Sequence, residues 1–188
     1  FHDTLKEKVA LSKKSNKPVS MVFVDIDYFK HYNDLNGHQM GDEVLKSIGK
    51  ILRENLREND ISARYGGEEF AIILPDTNED QAVLIADKIR RIIESTKFVG
   101  EENQPSGVLT ASMGISVYPD KAKDDVTLIK SADDALYRAK FFMKNRVETY
   151  TSILDEISAD IDEEDIELVA SIKTLISVIN AKDRYTYG

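Results

Sequence analysis

Apolar residues recur along the chain with two different periods, and the period changes from segment to segment. Residues 18–25 (PVSMVFVD) form an apolar, β-branched run that ends in an acid, which is typical of a buried strand. From residue 29 to residue 56 the spacing is helical, and glycine interrupts it early. The pattern therefore predicts two helices in this region, with a loop at 36–41 between them.

A hairpin and an alternating series of elements follow. Residues 61–65 and 69–74 predict two strands joined by Gly66-Gly67, because a two-residue hairpin needs the positive φ that glycine supplies. The later elements are a helix at 78–95, a strand at 108–118, a helix at 126–142 and a short strand at 145–150. This order predicts an α/β (α+β) sandwich with a mostly antiparallel central sheet flanked by helices.

The pattern changes again after residue 150. Residues 151–165 are rich in acids and predict a solvated linker helix. Residues 166–180 carry an apolar stripe, which fits a helix packed on its own domain or on a twin chain, or the start of another domain. We therefore divide the chain into a main domain, 1–150, and an appended segment, 151–188.

Composition narrows the classes of protein. The 188 residues include no cysteine, which excludes disulfides and thiolate metal sites. A net charge of −9 disfavours a nucleic-acid polymer as partner, since a phosphate backbone needs a basic surface. No apolar run approaches the roughly 18–20 residues of a membrane span. We expect a cytoplasmic location with no membrane contact from this stretch. We also expect an N-terminal truncation, which leaves room for a membrane anchor in the full protein.

Two acids occur where predicted strands end. Asp25 ends the first strand, and Glu68 follows the glycine pair. Carboxylates from neighbouring strands would give Mg²⁺ two anchors. Glu68 and Glu69 point to opposite faces of a strand, so only one of them readily meets Asp25. The alternatives are a solubilising turn and an acid that caps the following helix.

Further polar residues suit a nucleotide but also have simpler interpretations. Asn33 and Asp42, with His38 between them, offer amide and carboxylate edges for a purine; Asp42 is equally suited to cap a helix. Lys140 and Lys144 could hold phosphate oxygens, but cations are also expected at the end of a helix.

Together these segments resemble a known family. The motifs VDIDYFKHYNDLNGHQMGDEVL, RYGGEEF, LTASMGIS and SADDALYRAK are similar, in order and spacing, to the GGDEF domain of diguanylate cyclases over about residues 1–150. The resemblance implies a palm-like nucleotidyl-cyclase fold. It also implies condensation of two GTP molecules to cyclic di-GMP and pyrophosphate by a homodimer in which each monomer holds one GTP, with Mg²⁺ (or Mn²⁺) as cofactor.

The resemblance also implies roles for individual residues. Asp25, Glu68 and the backbone carbonyl of Ile26 would hold the metal. Glu68 would take up the proton of the attacking 3′-OH, and Lys30 would stabilise charge on the transferring phosphate. The GTP site would comprise Asn33, His38, Asp42, Gly66, Gly67, Lys140 and Lys144.

An inhibitory site is implied just before the hairpin. Arg57 and Asp60 match the family's RxxD site, where product would bind because arginine stacks on guanine and aspartate accepts hydrogen bonds from its edge. Lys88 lies where many members carry a supporting arginine. Outside this context RxxD is an ordinary exposed pair, but its position favours product inhibition.

Two departures keep a second function open. Met143 and Lys144 replace the family's usual Gly-Arg, and lysine lacks the bidentate phosphate contact of arginine. Residues 181–188 (AKDRYTYG) resemble the start of an HD-GYP phosphodiesterase domain. The alternative to an active diguanylate cyclase is therefore a non-catalytic GTP- or cyclic di-GMP-binding domain that regulates a downstream phosphodiesterase.

Overall fold

A five-stranded sheet with helices on both faces makes up residues 1–152, the part of the chain that the computed structural model describes. Its helices and strands, in chain order, are α1 His2–Ser15, β1 Val19–Ile26, α2 Phe29–Asn36, α3 His38–Asn55, β2 Ile61–Arg64, β3 Glu69–Pro75, α4 Glu79–Ser95, β4 Ala111–Tyr118, α5 Asp125–Phe141 and β5 Val147–Thr149. A short 3₁₀ turn, Glu101–Asn103, precedes β4.

Strand β1 is the centre of the sheet, whose order is β2-β3-β1-β4-β5. It pairs antiparallel with β3 and β4, and β2 pairs antiparallel with β3, whereas β4 and β5 are parallel. All eight residues of β1 are buried because it has a strand on each side and helices on each face. The predicted fold class, with its mostly antiparallel sheet, is confirmed.

The two faces of β1 belong to two separate cores. Met21 and Phe23 pack into the core under α1 and α5, and Val22 and Val24 pack into the core under α2, α3 and α4. Side chains alternate along a strand, so Asp25 continues the face that carries Phe23. The acid that ends β1 therefore lies on the side of the sheet covered by α5.

Gly114 lets α5 lie directly on the sheet. A Cβ at this position of β4 would stand 2.0 Å from the backbone nitrogen of Leu136 and 2.4 Å from the carbonyl oxygen of Ala132. These are backbone atoms of α5, which cannot move aside as a flexible side chain does. The glycine thus sets the distance between the sheet and the helix whose last turn carries Lys140.

Two predictions of helical structure need correction. Helix α1 was not among the predicted elements, because only three of its residues are buried and its apolar period is weak. Helices α2 and α3 are separated by Gly37 alone, at φ 83°, so the predicted loop at 36–41 is too long and Gly41 lies inside α3.

The predicted two-residue hairpin is also wrong. β2 ends at Arg64 and β3 begins at Glu69, so four residues connect them, and neither glycine of the connection has a positive φ. Instead, the amides of Tyr65 and Gly66 both donate to the carbonyl of Glu69, at 2.8 and 3.2 Å. The other predicted elements begin and end within three residues of the observed ones.

Most of the appended segment lies outside the described residues. Of the predicted linker helix at 151–165, only residues 151 and 152 are among the described residues. The apolar stripe at 166–180 and the stretch 181–188 lie wholly outside them. The proposed boundary at residue 150 stays a prediction. None of the helices in residues 1–152 is long and apolar enough to cross a bilayer.

Replacement of Gly114 by alanine should destabilise the domain by about 3 kcal/mol, because the new methyl group overlaps backbone atoms of α5. The midpoint of urea denaturation measures this change. Gly49→Ala is the matched control: in α3 a Cβ would meet only Arg53 Nη1, at 3.7 Å. Alanine's helix propensity should there raise stability by up to about 1 kcal/mol. Equal losses for both variants would contradict this account.

Candidate active site

The end of β1 brings two acids and a lysine together. Asp25 is buried, and its Oδ2 accepts a hydrogen bond from Lys140 Nζ at 2.8 Å. The amide of Ile26 donates to the backbone carbonyl of Glu68 at 3.3 Å, which places residue 68 beside the end of β1. The register pairs Asp25 with Glu69 across β1 and β3. Asp25, in β1, and Glu68, the residue before β3, are thus neighbours at this edge of the site.

Burial and neighbouring acids make the ionised forms of Asp25 and Glu68 unfavourable. Burial raises the pKa of Asp25 despite the hydrogen bond and the charge of Lys140, and the charge of Asp27 raises it further. Burial also raises the pKa of Glu68, and the neighbouring Asp25 adds to the rise. Burial alone would lower the pKa of Lys140, but the hydrogen bond to Asp25 raises it. Because folding favours the protonated acids, these two groups stabilise the fold less as the pH rises through their raised pKa values.

This donor set fits a hard divalent cation that also binds a substrate. Residues 1–152 contain no group of three or more histidine and acidic side chains that could hold a metal by themselves. The two carboxylates are nevertheless the oxygen ligands that Mg²⁺ prefers, and Mg²⁺ usually completes its shell with water and phosphate oxygens. The Lys140 ammonium already supplies a positive charge at Asp25. A second cation would lower the raised pKa values of both acids.

Asn33 carries an unused acceptor beside α3. A Cβ at Gly41 would lie 1.9 Å from Asn33 Oδ1, so this glycine allows the close approach of α2 and α3. The oxygen is buried and has no hydrogen-bond partner among the described residues. Buried polar atoms are normally paired, so an unpaired acceptor here suits a ligand that donates an N–H.

A groove of about 550 Å³ runs between α3 and β2. Asp42 lines it together with Lys46, Arg53, Arg64 and Phe70. This volume lies within the range of small-molecule sites. Asp42 is exposed, so its carboxylate is accessible to a ligand.

Arg64 holds the glycine turn. Its Nε donates to the carbonyls of Gly66 and Gly67 at 3.2 and 3.1 Å, and its Nη2 donates to Gly67 at 2.7 Å. A Cβ at Gly67 would meet no atom within 4 Å, so the backbone here is open to a ligand. On the other side of the turn, the ring of Tyr65 meets that of Phe23 with centroids 4.9 Å apart.

Asp27 is the central residue that the sequence predictions did not include. It is buried, and its Oδ2 accepts hydrogen bonds from Thr110 Oγ1 at 2.8 Å and from the amide of Asn145 at 3.0 Å. Its Oδ1 accepts from Ser112 Oγ at 2.7 Å. The available signal was the two-residue spacing from Asp25, which would put both acids on one face of a strand that continued to residue 27; β1 itself ends at Ile26.

The turn after α5 has a left-handed backbone at three consecutive residues. Met143, Lys144 and Asn145 have φ values of 79°, 60° and 49°. Glycine adopts such values without strain, which gives a physical reason for the glycine that the family resemblance implies at position 143. Lys144 Nζ lies 5.1 Å from the centroid of the Tyr28 ring, and its charge opposes the rise in the pKa of Asp25.

The other predicted site residues lie apart from this cluster or on the surface. Lys30 and His38, at the starts of α2 and α3, are exposed, and their contacts with GTP stay predictions. Asp60 Oδ2 accepts from the amide of Arg57 at 2.8 Å, and the amide of Asp60 donates to the Arg57 carbonyl at 3.0 Å. The side chains of Arg57 and of Lys88, which is in α4, are exposed.

The chain belongs to the GGDEF family: the family profile described as "Diguanylate cyclase, GGDEF domain" matches residues 1–146. The response regulator PleD of Caulobacter vibrioides (strain NA1000 / CB15N) is 39% identical over 130 residues, which cover 69% of this chain and 29% of PleD. Diguanylate cyclase DosC of Escherichia coli (strain K12) is 35% identical over 149 residues, which cover 79% of this chain and 32% of DosC. The chain thus spans about a third of the length of these relatives.

Solved structures of the family share the fold. The active GGEEF domain of a diguanylate cyclase from Vibrio cholerae matches with a TM-score of 0.74 and 30% identity, over 80% of this chain and 94% of that one. The GGDEF domain of DgcB from Caulobacter crescentus, in complex with c-di-GMP, matches with a TM-score of 0.72 and 30% identity, over 80% and 88%. This chain also reads GGEEF, at residues 66–70.

Replacement of Met143 by glycine should stabilise the domain by about 1 kcal/mol, because a side chain in the left-handed region is strained and this one is 93% exposed. Thermal or urea denaturation would show the gain. Met143→Ala is the matched control, since alanine keeps the Cβ and with it the strain. A gain of the same size in both variants would disprove backbone strain as the cause.

Proposed function

We propose that this domain is a diguanylate cyclase, which condenses two GTP molecules to cyclic di-GMP and releases pyrophosphate. The observation that carries the proposal is the pair of acids at the end of β1, Asp25 and Glu68, which the hydrogen bond from the Ile26 amide to the Glu68 carbonyl brings side by side and whose pKa values burial raises. Relatives named as diguanylate cyclases support it.

The cyclase reaction would give a separate role to each residue at the end of β1. Asp25, Glu68 and the carbonyl of Ile26 would hold Mg²⁺, which stabilises charge on the attacking and leaving oxygens when it is bound. Glu68 would also take up the proton of the attacking 3′-OH, because its carboxylate lies beside the metal-binding acid Asp25. Lys30 would stabilise negative charge on the transferring phosphate.

The remaining site residues would bind the nucleotide. The unpaired Oδ1 of Asn33 and the exposed carboxylate of Asp42 suit the N1–H and N2–H₂ donors of guanine, with His38 close by in sequence. The turn at Gly66-Gly67 would lie against the ligand through Gly67, where a Cβ would meet no atom within 4 Å; at Gly66 the Glu69 side chain is close. A cation at Asp25 would leave Lys140 free to join Lys144 on the phosphate oxygens.

Because each monomer would hold one GTP, the reaction needs two copies that face each other. Arg57 and Asp60, supported by Lys88, would bind the product and inhibit the enzyme. The short turn that joins Arg57 to Asp60 fixes this pair on the surface next to β2, which supports its assignment as a product site.

Purified protein incubated with GTP and Mg²⁺ should form cyclic di-GMP, measured by ion-exchange chromatography. The rate per protein molecule should rise with protein concentration, because two copies must meet. Glu68→Gln should lower the rate roughly 10²–10⁴-fold, as expected for a lost proton acceptor and metal ligand. Glu54→Gln, an exposed acid in α3, is the control and should not change it. Tight GTP binding without product would refute the cyclase and favour the regulatory alternative.

Arg57→Ala should relieve product inhibition, raising the inhibition constant of added cyclic di-GMP about tenfold or more, since the proposed contact of this exposed arginine with guanine would carry much of the binding energy. Initial rates at increasing product concentration measure this constant. Arg91→Ala is the control, an exposed arginine of α4 paired with Asp87. Unchanged inhibition of the Arg57 variant would show that the site lies elsewhere.

A further inference from the structure

The turn after α5 is fastened to the rest of the domain mainly at Asn145. Its amide donates to the buried carboxylate of Asp27 at 3.0 Å, which ties the turn to the end of β1. Its side-chain Oδ1 accepts from Arg90 Nη1 at 2.8 Å, and its Nδ2 donates to Glu94 Oε1 at 2.7 Å, which ties the turn to α4. One residue therefore joins two elements that are distant in sequence.

The side chains of Asn145, Arg90 and Glu94 all hydrogen-bond to one another. Arg90 Nη1 also donates to Glu94 Oε2 at 2.9 Å, so arginine, acid and amide form a closed ring of hydrogen bonds. Arg90 is 13% exposed, which limits competition from water. The hydrogen bond from Asn145 helps to lower the pKa of Glu94, so that this acid stays an ionised acceptor.

The residue before Asn145 is the one that needs a fixed position. Lys144 is half-buried, its amide donates to the Ala139 carbonyl at 3.1 Å, and its Nζ lies over the Tyr28 ring beside Asp25. Arginine orients itself on phosphate through its planar fork, whereas lysine is a point charge on a flexible stem. A lysine at this position therefore depends more on where the backbone of the turn places it.

We propose that Asn145 is a positioning residue: by fastening the turn to β1 and α4, it fixes where Lys144 meets the phosphate tail of GTP. This inference rests on the proposed function, because it takes GTP as the ligand. A purely structural role for Asn145 would affect all guanine nucleotides alike. A positioning role affects only ligands whose phosphates reach Lys144.

In the hydrogen-bond ring, the donor Asn145 and the acceptor Glu94 can exchange roles by substitution. Asn145→Asp places a carboxylate against Glu94 and should weaken binding of a non-reacting GTP analogue, with methylene between the α and β phosphates, about tenfold. In the double variant Asn145→Asp, Glu94→Gln, the glutamine donates to the new acid and still accepts from Arg90, so affinity should recover to within about threefold. Isothermal titration calorimetry in Mg²⁺ gives these affinities.

GMP and a Lys144→Ala background separate positioning from structure. GMP, which lacks the β and γ phosphates, should bind Asn145→Asp and the unchanged protein within about twofold of each other. With Lys144→Ala already present, Asn145→Asp should have no further effect on the analogue. Equal losses for GMP and the analogue, no recovery in the double variant, or a further loss without Lys144 would each overturn the proposal.

Two further arms keep the test decisive. If Asn145→Asp fails to fold, Asn145→Gly takes its place. Glycine keeps the left-handed backbone and the hydrogen bond from the backbone amide to Asp27, but it loses the side-chain hydrogen bonds to Arg90 and Glu94. This variant should bind the analogue about threefold more weakly and bind GMP as the unchanged protein does. An equal loss of affinity for the analogue and for GMP would overturn the proposal. Binding needs no turnover, so an unchanged protein that binds the analogue but makes no cyclic di-GMP refutes the proposed function alone. An unchanged protein that binds the analogue no better than GMP overturns this inference.

Discussion

The buried carboxylate of Asp27 is the interaction on which the geometry of the candidate site depends. It accepts hydrogen bonds from Thr110 and Ser112, at the start of β4, and from the amide of Asn145 after α5. A buried acid without such donors would be strongly unfavourable, so each donor segment is held where the acid needs it. The end of the central strand, the neighbouring strand and the turn that carries Lys144 are thereby fixed relative to one another.

This arrangement explains why the site lacks positive charge. Asp25 in β1 and Asp27 just after it are both buried, but Asp27 accepts hydrogen bonds from neutral donors, whereas Asp25 accepts one from the Lys140 ammonium. With Glu68 next to the end of β1, the charges of Lys140 and Lys144 do not offset the burial that raises the pKa of Asp25, and the pKa of Glu68 is raised as well. The protein thus keeps an electrostatic deficit at the surface of an otherwise well-paired core. A ligand that brings a cation with it would relieve this deficit.

The sequence was most informative where a residue type could occur at its position for only one physical reason. The apolar run of β1 predicted the central strand, and the acids of DID and GGEEF predicted the carboxylate pair. Local pattern failed at Gly66-Gly67, because hydrogen bonds to the Glu69 carbonyl, and not positive φ, close that turn. It also missed the structural part played by Asp27. The partners of Asp27 lie more than 80 residues away in sequence, so only the folded sheet reveals them.

The acids and the lysines of the candidate site are placed by different contacts, and this bears on Met143 and Lys144, which stand where the family resemblance implies Gly-Arg. Asp25 is placed by β1, and Glu68 is placed by the hydrogen bond that its carbonyl accepts from the Ile26 amide. The lysines are placed by α5, whose distance from the sheet Gly114 sets, and by the turn that Asn145 fastens. Neither Met143 nor the Lys144 side chain makes these fastening contacts, and Met143 is almost fully exposed. The turn therefore keeps its path with Met-Lys, at the expense of backbone strain at Met143 and of the fork that arginine provides.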